Sequence, residues 1–103
     1  MAEIVKLYID GAWRDGAGSQ ALDFFDPATG QAVGGVAVAG RDDLEDACAG
    51  AERGFRQWRA TPAVERCRLM RSAAMLIRDR SEIIAPLLTR EQGKPIAQAR
   101  QEV

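Results

Sequence analysis

The chain contains no histidine, so the chemistry it could bring to a site rests on thiols and carboxylates beside its arginines, two lysines and hydroxyl groups. The two thiols are Cys48 and Cys67. A cysteine acts as nucleophile or ligand in its thiolate form, and a neighbouring base, cation or metal is what makes the thiolate accessible near neutral pH. Neither a Cys-His nor a Ser-His pair can be assembled here, and the spacing of the two cysteines fits neither a zinc pattern nor a disulfide framework. Both fall at positions that read as helical, so the expectation is two small buried residues without a catalytic role.

The acidic cluster Asp42, Asp43, Glu45 and Asp46 has the composition of a cation site but not the geometry. A helix turns successive side chains in different directions, whereas acids at a helix start interact favourably with its positive end. Gly16-Ala17-Gly18 lacks the third glycine, or the Lys-Ser/Thr pair, of a phosphate-cradling loop. Between Arg53 and Arg80 stand eight arginines against the two acids Glu65 and Asp79. Without interleaved aromatics for base stacking, that run reads as a solvated or inter-segment face rather than a nucleic-acid site.

Local chemistry therefore places no catalytic residue in this chain and none that binds a dinucleotide. A composition of 47% hydrophobic and 28% charged residues with a net charge of −1 is that of a soluble globular protein. No run reaches the roughly 18 apolar residues of a membrane span, and Met1-Ala2-Glu3-Ile4-Val5-Lys6 lacks the form of a signal peptide. A cytoplasmic protein without membrane or nucleic-acid partners is the expectation.

The elements that position these side chains change character near residue 40. Residues 1–40 carry seven of the ten glycines with short apolar runs, the pattern of strands and turns. Leu7-Tyr8-Ile9 and Ala12-Trp13-Arg14 flank Asp10-Gly11, a two-residue link suited to a type I′ hairpin turn. After a glycine-rich, flexible stretch from Asp15 to Ser19, a strand from Leu22 to Phe25 meets the turn Asp26-Pro27-Ala28-Thr29-Gly30. Gln31 to Val38 returns as its partner, with Gly34-Gly35 as a bulge.

From Arg41 the period becomes helical: Leu44, Ala47, Cys48, Ala51, Phe55 and Trp58 form one stripe, with Asp42 and Glu45 as a capping-box-like start. Gly50 and Gly54 in that helix suggest a closely packed backbone, and Phe55 and Trp58 read as core. Thr61-Pro62 separates it from a second helix with Cys67, Met70, Ala73, Ala74 and Ile77 on one face. Ser81 is the expected cap of a third helix, which Pro86 either kinks or delays to Ala85. Gly93 ends it and Pro95 opens a fourth, which the sequence leaves without a closing turn at Val103.

Taken in order, Leu7-Tyr8-Ile9-Asp10-Gly11-Ala12-Trp13, Asp26-Pro27-Ala28-Thr29-Gly30 and Arg90-Glu91-Gln92-Gly93-Lys94-Pro95 resemble the N-terminal segment of NAD(P)-dependent aldehyde dehydrogenases over essentially the whole chain. The segment Leu88 to Arg100 is most similar to the succinate-semialdehyde dehydrogenase group. The resemblance implies an α+β fragment of an α/β aldehyde dehydrogenase fold: β-hairpins over 1–40, then three to four helices over 41–103 forming the N-terminal part of the cofactor-binding domain. It implies a longer polypeptide as partner, homo-oligomeric when complete, that oxidises an aldehyde to the acid with NAD or NADP. The nucleophilic cysteine, glutamate base and dinucleotide loop of that family have no counterpart among these residues, so this chain alone is expected to be inactive and to bind no cofactor. The resemblance also implies a structural monovalent cation near Phe25, through its carbonyl, and Glu91. The contrasting expectation is an independent small protein-interaction module.

Overall fold

The computed structural model describes residues 3–18 and 20–103. Met1, Ala2 and Ser19, which belong to the amino-terminal start and to the glycine-rich stretch, lie outside the described residues. The chain is an α+β assembly of β1 (Ile4–Val5), β2 (Leu7–Ile9), β3 (Ala12–Arg14), β4 (Ala21–Phe25), β5 (Ala32–Ala37), α1 (Arg41–Ala60), α2 (Ala63–Asp79), α3 (Ser81–Gln92) and α4 (Ile96–Glu102). It divides into two compact units, Met1–Phe24 with Ala32–Ala60 and Phe25–Gln31 with Thr61–Val103.

In the first unit β2 and β3 form the expected antiparallel hairpin, with Ile9 opposite Ala12, Tyr8 opposite Trp13 and Leu7 opposite Arg14. Asp10 at φ 51° and Gly11 at φ 81° give the two positive φ angles that match a type I′ turn to strand twist. The rings of Tyr8 and Trp13 lie 4.9 Å apart across the pair, a cross-strand contact of the kind that stabilises a short ribbon. A second sheet runs in the order β1-β5-β4. Strand β1, which the sequence patterning did not indicate, pairs parallel to β5 through Ile4 with Gly35 and Val5 with Val36.

The β4–β5 hairpin is closed by bonds from the Asp26 N–H to the Gln31 carbonyl and from the Val38 N–H to the Gln20 carbonyl, each 2.9 Å. The span Gln31–Val38 is thus one residue longer than the span Gln20–Asp26 it faces, which is the signature of a bulge in β5. Gly34 and Gly35 lie inside that span, and a Cβ on Gly34 would sit 2.8 Å from the carbonyl oxygen of Glu3.

In the second unit the Asp26–Gly30 turn is held by the Gly30 N–H on the Asp26 carbonyl at 2.7 Å and by the Ala28 N–H on the Asp26 side chain at 2.8 Å. Gly30 takes φ 70°, as expected of the left-handed position. Helices α2 and α3 meet at Arg80, whose N–H bonds back to Leu76 and Ile77 and whose carbonyl accepts from Ile83 and Ile84. Ser81 is therefore the first helical residue and not the cap, and α3 passes through Pro86 from a start at Ser81 rather than at Ala85. Because proline has no N–H, the Glu82 carbonyl lacks its usual helical donor. Gly93 ends α3 at φ 71° with its N–H on the Thr89 carbonyl at 2.8 Å, and Pro95 stands immediately before α4.

Packing departs most from what periodicity suggests. Among the described residues the buried apolar set is Ala37, Ala85 and Ala99, and no large side chain is fully buried. The stripe of α1 lies open, with Leu44 and Phe55 each 61% exposed and Trp58 42%. Cys48 and Cys67, expected inside, are both exposed, and α2 buries none of its residues. The chain presents 8182 Å² to solvent, against roughly 5700 Å² for a folded monomer of its mass. Periodicity located the apolar faces, and among the described residues the large apolar side chains on them are exposed.

Candidate functional site

Asp43, 4% exposed at the third residue of α1, is a buried charged side chain among the described residues and joins several stretches of chain. Its Oδ2 accepts from the Gly40 N–H at 2.8 Å and from the Ala17 N–H at 2.7 Å. Gly40 also accepts the first helical bond, from the Leu44 N–H at 3.1 Å, so Asp43 reaches back to cap the helix start as the third residue of a capping box does. The expected pair Asp42 and Glu45 does not make this cap. On its other oxygen Asp43 meets Arg14 Nε at 3.3 Å, while Arg14 Nη1 lies 2.8 Å from Asp46.

One carboxylate thus ties strand β3, the Gly16 to Gly18 turn and the start of α1 together. The Ala17 amide, then the Gly40 amide, with the Arg14 charge adding to them against partial burial, hold the Asp43 carboxyl below the ordinary aspartate range. The same place demands Gly16, since a Cβ there would lie 2.0 Å from the Val38 carbonyl oxygen. The stretch expected to be flexible is anchored at Ala17 and buried at Gly16. Hydrogen bonding of this kind consumes the carboxylate's acceptor capacity in holding backbone, which is a structural use rather than acid-base catalysis.

Further along the hairpin, Asp10 meets α1 twice. Arg53 donates to it at 2.6 Å, and a Cβ on Gly50 would lie 3.1 to 3.2 Å from the Asp10 side chain. The close approach foreseen at Gly50 is made by a side chain, whereas Gly54 faces open space. Helix α1 therefore turns Asp43, Asp46, Gly50 and Arg53 to the hairpin, and its apolar stripe lies on the opposite side.

The arginine run disperses. Arg53 pairs with Asp10, Arg56 with Glu52 and Arg68 with Glu65, while Arg59, Arg71 and Arg78 are exposed. Glu65 is held below the ordinary glutamate range by its bond from Arg68. An open cavity of about 200 Å³ lined by Ile4, Asp15, Gly16, Gln20, Ala21 and Ala37 brings one carboxylate, already paired with Lys6 at 3.2 Å, and one amide to walls that are otherwise apolar or backbone.

Of the two residues assigned to a cation, Phe25 ends β4 with its side chain exposed and Glu91 lies exposed in the last turn of α3. The turns that follow them approach each other: a Cβ on Gly93 would sit 2.8 Å from Pro27 Cγ. A backbone carbonyl and a carboxylate are oxygen donors of the kind a hard cation takes. Among the described residues no group of three or more Cys, Asp or Glu side chains is placed to hold a metal ion, and no helix is long and apolar enough to cross a membrane.

The family model described as aldehyde dehydrogenase family matches residues 13–103. The fold is shared with an NADP-dependent enzyme of E. coli, 35% identical at a TM-score of 0.92 over 97% of this chain and 21% of that one. An NAD-dependent aldehyde dehydrogenase from Sinorhizobium meliloti is 36% identical at a TM-score of 0.91, with 99% and 21% covered. A succinate-semialdehyde dehydrogenase from Burkholderia pseudomallei is 35% identical at 0.89, with 94% and 20% covered. The chain spans about a fifth of the length of these solved relatives. On the match of residues 13–103 and on these likenesses in sequence and fold, the chain belongs to the aldehyde dehydrogenase family.

Proposed function

We propose that this chain is the N-terminal part of an NAD(P)-dependent aldehyde dehydrogenase, and that its own contribution is structural. The observation that carries this reading is the pairing of near-complete coverage of this chain with about a fifth of each solved relative. The helices, cut off from four-fifths of such a polypeptide, expose the apolar faces that a larger body would bury. The complete protein would use a cysteine nucleophile to convert an aldehyde to the acid, with a nicotinamide, when bound, supplying the hydride acceptor. Those roles fall to residues outside the 103 of this chain. Residues 41–103 form the N-terminal part of the cofactor-binding domain, the complete protein is a cytoplasmic homo-oligomer, and succinate semialdehyde is its first candidate substrate on the segment Leu88 to Arg100. The carbonyl of Phe25 and the carboxylate of Glu91 contribute to a structural monovalent cation site, supported by the approach of Pro27 to Gly93.

The test is a panel of aldehydes with NAD and NADP on the complete gene product, alongside calorimetry on the 103-residue chain. The complete protein is expected to oxidise succinate semialdehyde fastest, and the isolated chain to bind neither dinucleotide. Preference for another aldehyde overturns the substrate assignment alone. Micromolar dinucleotide binding by the isolated chain, or no dehydrogenase activity with any aldehyde, overturns the reading itself.

A further inference from the structure

We propose that the Asp10-Gly11 peptide is a site of self-modification, at which the aspartate isomerises through a cyclic imide, and that the fold shields Asp15-Gly16 from the same reaction. The chain has no asparagine, and these two peptides are its Asp-Gly sequences. Alanine follows each of them, so the reacting tripeptide Asp-Gly-Ala occurs twice. Glycine is the neighbour that permits the reaction, because without a Cβ its amide nitrogen is uncrowded and its backbone turns freely. Local chemistry treats the two tripeptides alike, and the fold is what separates them.

In this reaction the glycine nitrogen attacks the aspartate Cγ. An N–Cγ bond forms, a Cγ–O bond breaks, and the departing oxygen leaves as water with the amide hydrogen and the carboxyl proton. Solvent water then opens the imide at the former main-chain carbonyl, whose bond to nitrogen breaks. The main chain now runs through Cβ and Cγ, and the freed carboxylate carries one solvent oxygen. Nothing is oxidised or reduced. The nitrogen reaches Cγ only when the peptide between the two residues rotates, so the rate follows the local freedom of that peptide.

At Asp10-Gly11 that freedom is present. Both residues lie outside the β2–β3 ladder, whose last pair is Ile9 with Ala12, and Gly11 is exposed with nothing within 4 Å of its Cβ position. At Asp15-Gly16 it is absent. Gly16 is buried, the Val38 carbonyl oxygen stands 2.0 Å from its Cβ position, and the next amide, that of Ala17, is bonded to Asp43 at 2.7 Å. Ion pairing does not separate the two sites, since both carboxylates are exposed and paired, Asp10 with Arg53 at 2.6 Å and Asp15 with Lys6 at 3.2 Å. Each pair opposes its own reaction, because the imide is neutral. Isomerisation at Asp10 would add a methylene to a two-residue turn built on φ angles of 51° and 81°. It would also displace the carboxylate that Arg53 holds, releasing the hairpin tip from α1.

The test is to hold the complete gene product, folded at neutral pH, in water enriched in heavy oxygen and to map its peptides by mass spectrometry. Label and isoaspartyl linkage are expected to appear at Asp10 about tenfold faster than at Asp15, or more, since reaction at Asp15 first requires the Ala17–Asp43 bond to open. In guanidinium chloride the two identical tripeptides are expected to react at equal rates. Arg53→Met, which removes an exposed pair, is expected to speed Asp10 about two- to fivefold and to leave Asp15 unchanged. Equal rates at the two sites in the folded protein, no label at Asp10, a difference that persists in denaturant, or Arg53→Met without effect on Asp10 overturns the proposal.

Discussion

Asp43 shows how a single side chain can hold three stretches of chain, and its titration follows from what it touches. Its carboxyl is held below the usual aspartate value of 3.8 by the Ala17 and Gly40 amides and by Arg14. A carboxyl whose folded pKa is depressed contributes stability that is fully present above the unfolded value and disappears as pH falls through the folded one. Acid unfolding is therefore expected to acquire part of its steepness below pH 3.8 from this residue, and Asp43→Asn to flatten it there. Because the Glu65–Arg68 pair is exposed, salt screens its share and leaves that of Asp43. Gly16 is the steric counterpart. Gly16→Ala places a Cβ 2.0 Å from the Val38 oxygen, whereas Gly18→Ala meets nothing within 4 Å. Urea titration is expected to show a loss of about 3 kcal/mol or more for the first, at the top of the overpacking range, and almost none from crowding for the second.

At the scale of elements, two glycines with nearly the same backbone angle separate strain from packing. Gly11 at φ 81° ends in open space, while Gly93 at φ 71° lies against Pro27. Forcing alanine into the left-handed region costs about 1 kcal/mol. Gly11→Ala is expected to lose about that much by denaturant unfolding, and Gly93→Ala more, with Pro27→Ala restoring part of the difference in the double variant. Equal losses at the two positions would mean that the Asp26–Gly30 turn is not seated on the α3–α4 turn. Both glycines were legible from sequence, Gly11 beside Asp10 between two short strand-like runs and Gly93 at the end of a helical stretch two residues before Pro95. The role of Arg80 at the α2–α3 junction was not, since its backbone alone forms that junction.

Across the whole molecule the deciding quantity is how little apolar surface is buried. A domain of 103 residues ordinarily unfolds with a heat-capacity increase of about 1.2 to 1.5 kcal/mol/K. With Ala37, Ala85 and Ala99 as its buried apolar residues among those described, this chain is expected to fall clearly below that range. Scanning calorimetry on the 103-residue chain at low concentration checks this. A full-sized heat-capacity change with a sharp, two-state melt would identify a complete autonomous domain and favour an independent interaction module.

The sequence by itself determined the local order of this protein: the type I′ hairpin at Asp10-Gly11, the Asp26–Gly30 turn, the helix beginning at Arg41 and the left-handed stop at Gly93. Each depends on backbone angles and short-range hydrogen bonds that a few neighbouring residue types dictate. The sequence also carried the family, through motifs spread over the chain. Only the tertiary structure decided which face of each element is covered. Periodicity marks the apolar face of α1 but holds no information about whether anything covers it, so Cys48, Phe55 and Trp58 read as core and yet are exposed. For the same reason the Arg14–Asp43–Ala17 connection was invisible: Asp43 is 26 residues from Ala17 and meets it and Arg14 only because β3, the Gly16 to Gly18 turn and α1 are folded together.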